Sequence, residues 1–227
     1  MINKITTKAL FDCNHTIAKE LFENTTYPWE VLNHIGDFIM AIGPSLPKDK
    51  YDQIGDDIWI AKTANVAPSA LITGPLIIGE NAEVRHCAFI RGKAIVGSGA
   101  VVGNSTELKN SILFDNVQVP HFNYVGDSIY GYCSHTGAGV IASNLKSDKT
   151  NVVIDVDGEK VDTGLKKLGA IIGDYVEVGC NSVLNPGTVI GKNTNVYPLS
   201  RVRGFVPADS ILKRPDEVVE KYHPCVE

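Results

Sequence analysis

An aliphatic residue recurs every six positions through most of this chain. It stands at Ile60, Val66, Ile72, Ile78, Val84, Ile90, Val96, Val102, Leu108 and Phe114, and again at Ile172, Val178, Leu184, Ile190, Val196 and Val202. A helix repeats near 3.6 residues and a half-buried strand at 2, so neither produces this period. A hexapeptide repeat winding a parallel β-helix does. Small residues stand four positions after many of the beats (Ala64, Ala70, Ala82, Ala88, Ala94, Ala100). Glycine often follows directly, as at Gly79, Gly97, Gly103, Gly173, Gly179 and Gly191. Both suit tight corners, while each aliphatic points inward and stacks on its neighbours above and below. Three hexads close one coil of eighteen residues, so residues eighteen apart should stack directly, on coils roughly 4.8 Å apart.

The chain divides accordingly into a helical cap (1–56), the β-helix (57–207, with an insertion at 144–168) and a tail (208–227). Val31, Leu32, Ile35, Phe38, Ile39 and Ile42 recur with helical spacing after Pro28, and Gly43-Pro44 stops that helix. A shorter helix is expected over Thr16–Glu23, with Asn14 as its cap. This piece should cover the open N-terminal end of the solenoid, whose first coil would otherwise expose strand edges. Within the insertion, Val152–Val156, Asp157-Gly158 and Glu159–Asp162 read as a β-hairpin with a tight turn. The beat slips near Gly126–Tyr130, and Asp216–Tyr222 is expected to be helical and to cap the far end. The fold class is mainly β: a parallel β-helix with a helical cap and an inserted hairpin. Its flat faces suit packing in a symmetric oligomer.

Composition narrows the partners. The formal net charge of −5 and the lack of a polybasic run argue against nucleic acid. No apolar stretch approaches the roughly 20 residues of a membrane span. The opening M-I-N-K-I-T-T-K lacks the apolar core of a signal peptide. The five cysteines are widely spaced with no C-x-x-C pair, which suggests buried free thiols in a reducing cytoplasm.

Four constellations could carry chemistry. Arg91 and Lys109 lie eighteen residues apart and each follows an inward aliphatic, so they should stack on adjacent coils. Two stacked cations repel unless an anion lies between them, which suits a phosphate; the alternative is two solvated corner charges. His121 sits near the slip in the beat and could act as a general base near neutral pH, or be structural. Thr136-Gly137-Ala138-Gly139 offers close backbone approach for an extended cofactor, or simply a tight corner. His86, His121 and His135 are candidates for a zinc triad, but their spacings of 35 and 14 are not multiples of one coil, so no metal is expected.

At these residues a resemblance emerges. The beat resembles that of left-handed β-helix acyltransferases. Gly103-Asn104-Ser105-Thr106-Glu107-Leu108-Lys109, then His121-x-x-Tyr124-Val125-Gly126-Asp127, then Gly137-Ala138-Gly139 and Asn144 are similar to the acetyltransferase half of bifunctional N-acetylglucosamine-1-phosphate uridyltransferases. Pro28-Trp29-Glu30 and the run from Asp162 to Asp174 resemble the archaeal-type sugar-1-phosphate nucleotidyltransferase/acetyltransferases. The resemblance covers roughly residues 28–207. It implies acetyl transfer from acetyl-CoA to the amine of an amino-sugar 1-phosphate, in a homotrimer with sites between subunits. By position, His121 is the general base, Arg91 and Lys109 hold the sugar phosphate, and Tyr124 and Asn144 contact the sugar. Lys149 falls near a further substrate lysine, and Ala138 and Cys180 fall on acetyl-CoA-contacting positions. His135 stands where the family carries asparagine, which leaves the amino sugar open. No covalent intermediate is implied, so Cys133 and Cys180 need not be nucleophiles.

Two features qualify that reading. The first 50 residues carry no glycine-rich basic nucleotide loop and cannot hold a Rossmann-like domain, so sugar-nucleotide synthesis is not expected of these residues. His121 lies twelve residues past Lys109, which strict periodicity places on another corner. Either the slip in the beat or a neighbouring subunit must then unite base and phosphate site. Two rivals stand beside the favoured reading: an acyltransferase for another amino or hydroxyl sugar, and a non-catalytic sugar-phosphate-binding or oligomerisation module partnering a separate nucleotidyltransferase.

Overall fold

The computed structural model describes residues 2–214 and 216–222. Parallel strands wind a left-handed β-helix of triangular section. Its first face carries Ile58–Ala61, Leu76–Ile78, Ala94–Val96, Ala170–Ile172 and Thr188–Ile190. The second carries Asn65–Val66, Glu83–Val84, Gln118–His121, His135–Thr136 and Glu177–Val178, and the third Leu71–Thr73, Phe89–Arg91, Ile141–Ala142 and Val183–Leu184. The aliphatic beats fill the interior: Ile78, Val84, Ile90, Val96, Val102 and Leu108 are all at most 1% exposed.

The coil length is not constant, which corrects the eighteen-residue ruler. The register advances eighteen residues from Leu76 to Ala94, but seventeen from Ala94 to Ser111 and again from Ser111 to Ser128. Where the coil through Phe89–Arg91 turns from third to first face on two left-handed residues (Gly92 and Lys93), the next two turn on one: Asn110 at φ 50° and Asp127 at φ 49°. Backbone in this region is uncommon outside glycine, and Asn and Asp tolerate it best. The shorter corner lets each strand bend round it unbroken, giving Glu107–Leu113 and Tyr124–Tyr130. The beat therefore slips first at Asn110, ahead of Gly126. The residue stacked on Val96 is Leu113 rather than Phe114. Phe114 is freed to pack against Phe11 and Phe22, with ring centroids at 5.0 and 5.6 Å.

The N-terminal helices do not plug the end of the solenoid; they lie along its side. The outward column of the first face runs Trp59, Ile77, Ile95, Ile112, Ile129, Ile171 and Val189, every one buried. Covering an isoleucine in full is worth roughly 1.5–3 kcal/mol, so such a column demands a cover. The helix Ile35–Ile42 packs across the strands at Leu76–Ile78 and Ala94–Val96. Gly43 lies flat on the Trp59 ring, where a Cβ would strike it. Further along, the Asp174 carboxylate accepts from the amides of Asp12 (2.8 Å) and Tyr132 (2.9 Å) and pairs with Lys192 (2.9 Å). The expected helix over Thr16–Glu23 shrinks to Lys19–Phe22, and Asn14 does not cap it.

A single antiparallel strand covers part of each open end: Tyr51–Gln53 on the first strand, and Glu217–Glu220 on Ser210–Arg214. The tail is thus strand rather than helix, because Glu217, Val218, Val219 and Glu220 alternate in burial along an available edge. The hairpin forms as read, Val153–Val156 against Glu159–Asp162. Its turn has positive φ at both Asp157 (54°) and Gly158 (88°), matching the strand twist. Among the described cysteines none is buried: Cys13 and Cys133 are half-buried, and Cys87 and Cys180 exposed, all of them free thiols. Cys87 and Cys133 occupy left-handed corners that project from the coil. Cys225 lies outside the described residues. No described helix is long and apolar enough to cross a membrane.

Candidate functional site on two corners of the solenoid

The residues singled out in the sequence gather on two different corners. At the corner from third to first face, Ile90 pairs with Leu108 and Lys109 with Gly126, so Arg91, Lys109 and Gly126 stack as expected. The two cations do not await an external anion, however. Arg91 Nη1 donates to Glu107 Oε1 at 2.8 Å, a hydrogen bond that raises the guanidinium pKa above its ordinary value. Lys109 Nζ donates to both carboxylate oxygens of Asp127, at 3.2 and 3.0 Å. The repulsion argument for a phosphate between them is therefore answered within the chain.

Asp127 is the hub of this corner and was missed in the sequence. It is 5% exposed, and besides Lys109 it accepts from Asn110 Nδ2 at 2.9 Å and from Asn144 Nδ2 at 2.5 Å. Asn144 Nδ2 also donates to Tyr124 Oη at 3.2 Å. Asn144 is held in place by its own carbonyl, which accepts from the Leu168 amide where the insertion returns. Gly126 is needed here for space. A Cβ on it would lie 2.5 Å from Tyr124 Oη and 2.8 Å from Asn144 Nδ2. The signal for Asp127 lay in the repeated triplet Lys109-Asn110-Ser111 and Gly126-Asp127-Ser128, two one-residue corners seventeen apart.

His121, Ala138 and Cys180 line the other corner, from second to third face. His121 pairs with Asn104 on the coil below. Above it, the Gly139 amide donates to His121 O (3.0 Å), and the Asn181 amide to Ala138 O (2.8 Å). Buried Asn123 pins this turn: its Oδ1 accepts from the His121 amide and its Nδ2 donates to Gly137 O. Gly137 gives room to the Cys180 sulfur, which a Cβ would meet at 2.7 Å. The imidazole of His121 is exposed and has no hydrogen-bond partner among the described residues.

Two candidates lie elsewhere. His135 is on the outer side of the second face, with Nδ1 2.7 Å from Glu177 Oε2. Lys149 sits in the insertion, exposed and away from both corners' hydrogen bonds. The spacing argument about zinc also needs correction. Because one coil has eighteen residues and the next seventeen, His86 and His121 do share a corner, separated by Asn104, whose Nδ2 donates to His86 O. No group of three or more His, Cys, Asp or Glu able to hold a metal occurs among the described residues.

The strand Tyr124–Gly126 separates the two corners by roughly 10 Å within one chain. Beside Asn144 the first of them opens into a groove of about 1010 Å³ lined by Ser143, Leu145, Lys146, Asp155, Arg203 and Phe205, among others. Arg203 continues the Arg91–Lys109 column and has no ion-pair partner among the described residues.

The fold and its corner-built site are those of a hexapeptide-repeat parallel β-helix. Within that class the chain resembles the acetyltransferase region of bifunctional sugar-phosphate enzymes. Residues 72–166 match the family described as the GMPPB C-terminal domain. The chain is 33% identical over 212 residues to the bifunctional protein GlmU of Methanococcus vannielii, covering 86% of this chain and 47% of that protein. It is 35% identical over 159 residues to the bifunctional sugar-1-phosphate nucleotidylyltransferase/acetyltransferase of Sulfurisphaera tokodaii, covering 62% and 40%. The chain thus spans less than half the length of these relatives. Among solved structures, the chain is similar to the acetyltransferase domain of PglB from Neisseria gonorrhoeae in complex with acetyl coenzyme A, at 16% identity and a TM-score of 0.38 over 72% of this chain and 57% of that one.

Proposed function

We propose that this protein transfers an acetyl group from acetyl-CoA to the amine of an amino-sugar 1-phosphate, in the cytoplasm. The observation that carries the reading is the alignment of His121, Ala138 and Cys180 on successive coils of one corner. The base and both acetyl-CoA positions implied by the resemblance then lie along a single line. His121 takes a proton from the ammonium, and the free amine attacks the thioester carbonyl. The tetrahedral adduct loses its second N–H proton to solvent and collapses, and CoA leaves as its thiol with the first proton returned by His121. An imidazole suits both transfers near neutral pH, and such a base contributes typically 10²–10⁴-fold. Holding amine and thioester together supplies roughly 7–11 kcal/mol more.

Lys109, Tyr124 and Asn144 receive the sugar phosphate at the other corner, assisted by Arg91. One chain keeps the two corners apart, so the reading requires a homotrimer in which His121 of one subunit faces Lys109 of the next. His135 and Lys149 are assigned to the outer rim of the acceptor site. A second reading, an acceptor larger than a monosaccharide phosphate, is favoured by the groove beside Asn144, which Arg203 lines. Thiol release from acetyl-CoA with glucosamine 1-phosphate and galactosamine 1-phosphate, against a wider panel of amino and hydroxyl sugars, tests both. His121→Ala should lower kcat by about 10²-fold or more, and full activity in that variant would overturn the mechanism. Ligand binding without turnover across the panel would favour the non-catalytic module instead.

A further inference from the structure

We infer that Asp127 is a positioning residue that fixes which hydrogen-bonding groups the acceptor site presents; this rests on the acetyl-transfer reading for its consequence, though not for its geometry. An ionised carboxylate can only accept, so the Asn144 atom 2.5 Å from Asp127 Oδ2 must be the amide nitrogen. That choice propagates. The second Nδ2 proton is directed to Tyr124 Oη, 3.2 Å away. Because the phenol oxygen accepts there, its own proton is released to point away from Asn144. Asn144 Oδ1 is left as a free acceptor.

Lys109 obeys the same constraint. Two of its directions are taken by Asp127 Oδ1 and Oδ2, and its ammonium carries three donors. The side chain keeps 26% exposure, so one N–H remains for a ligand. The corner therefore offers two donors, from Lys109 and Tyr124, and one acceptor, Asn144 Oδ1. The complementary ligand has phosphate or ring oxygens flanked by a hydroxyl or amine donor, the pattern of an amino-sugar phosphate. Without the carboxylate, the Asn144 amide could turn over and the pattern would invert.

Asn110 gives the buried carboxylate its remaining bond and places it geometrically: Asn110 and Asp127 are the stacked one-residue corners. The two devices belong together. The seventeen-residue coil removes the second corner residue and sets Asp127 at the turn itself, within reach of Lys109 and Asn110 on the coil before and Asn144 on the coil after.

The test has a ligand-free arm and a ligand arm, each on the full chain. Asp127→Asn keeps a residue that tolerates positive φ, so the corner should persist; Tyr124→Phe removes only the hydroxyl. In the wild type, both Asn144 side-chain amide protons, assigned by their loss in Asn144→Asp, should exchange with solvent about 10-fold or more slowly than those of a free asparagine. Tyr124→Phe should release one, and Asp127→Asn both. Wild-type exchange at the free rate would overturn the inference even if acetylation is robust. In the ligand arm, Asp127→Asn should raise the KM for glucosamine 1-phosphate about 10-fold or more while leaving the KM for acetyl-CoA unchanged. Adding Tyr124→Phe to it should cost less than Tyr124→Phe alone, since the relay is already broken. Independent, multiplying losses would overturn it. If Asn144 is protected yet no amino-sugar phosphate binds or reacts, the relay stands and the acetyl-transfer reading falls.

Discussion

Cys13 shows how much a single position on the flank of the solenoid is controlled by its surroundings. Burial, with the nearby Asp174 and Asp12 carboxylates adding to it, pushes its thiol from 9.0 up to about 11. The unfolded chain therefore loses this proton first, so stability should fall as pH rises from about 9 to about 11. Cys13→Ala should flatten that fall, measured as the urea midpoint across the interval; an unchanged slope would contradict the assignment. The thiolate is also the species that reacts with alkylating agents, so Cys13 should label about 100-fold more slowly than free cysteine at pH 8. Residue-scale legibility divides along similar lines. The stack of Arg91 on Lys109, and the placing of His121 on another corner, were readable by counting, while Ala138 and Cys180 came from the resemblance. Asp127 was not readable, since its partners arrive from the coils before and after it, and both steps are a residue short of eighteen. Gly126→Ala should push Tyr124 and Asn144 apart, cost roughly 1–3 kcal/mol in stability, and weaken acceptor binding more than acetyl-CoA binding.

At the scale of elements, the hairpin was fully legible because Asp157-Gly158 between alternating segments is a local signal. The N-terminal helices were legible as helices but misplaced, because what they pack on is set by the sheet rather than by their own sequence. The signal was present in the triplets Leu76-Ile77-Ile78, Ala94-Ile95-Val96 and Ala170-Ile171-Ile172. The first face is apolar on both sides along its whole column, so it needs covering. Trp59→Ala, which would empty the ring's place beneath Gly43, should cost roughly 3–5 kcal/mol by chemical denaturation. If the helices merely plugged the N-terminal end, as the sequence suggested, distant Val189→Asp would leave their protection from proteolysis unchanged. The lateral packing predicts instead that a charge in the buried column loosens the whole flank.

The whole molecule presents two open faces, since its own N-terminal segment seals the first. The edge between those two faces carries Phe122 at 60% exposure and Leu199 at 80%, both with positive φ (51° and 61°). Large apolar side chains in that conformation, left in water, are costly unless another subunit covers them. If the proposed homotrimer forms, Leu199→Asp and Phe122→Asp should therefore shift its sedimentation profile from trimer toward monomer. The same packing would bring the His121 corner of one subunit toward the Lys109–Asp127–Asn144 corner of the next. That shared site is the central claim, and complementation measures it most directly. His121→Ala and Lys109→Ala chains, each inactive alone, are co-refolded at equal ratio and assayed for acetyl transfer. A site built from two subunits regains about one quarter of wild-type activity, the share of interfaces at which both intact residues meet in a random closed ring. Activity in the mixture no higher than in either variant alone would contradict it.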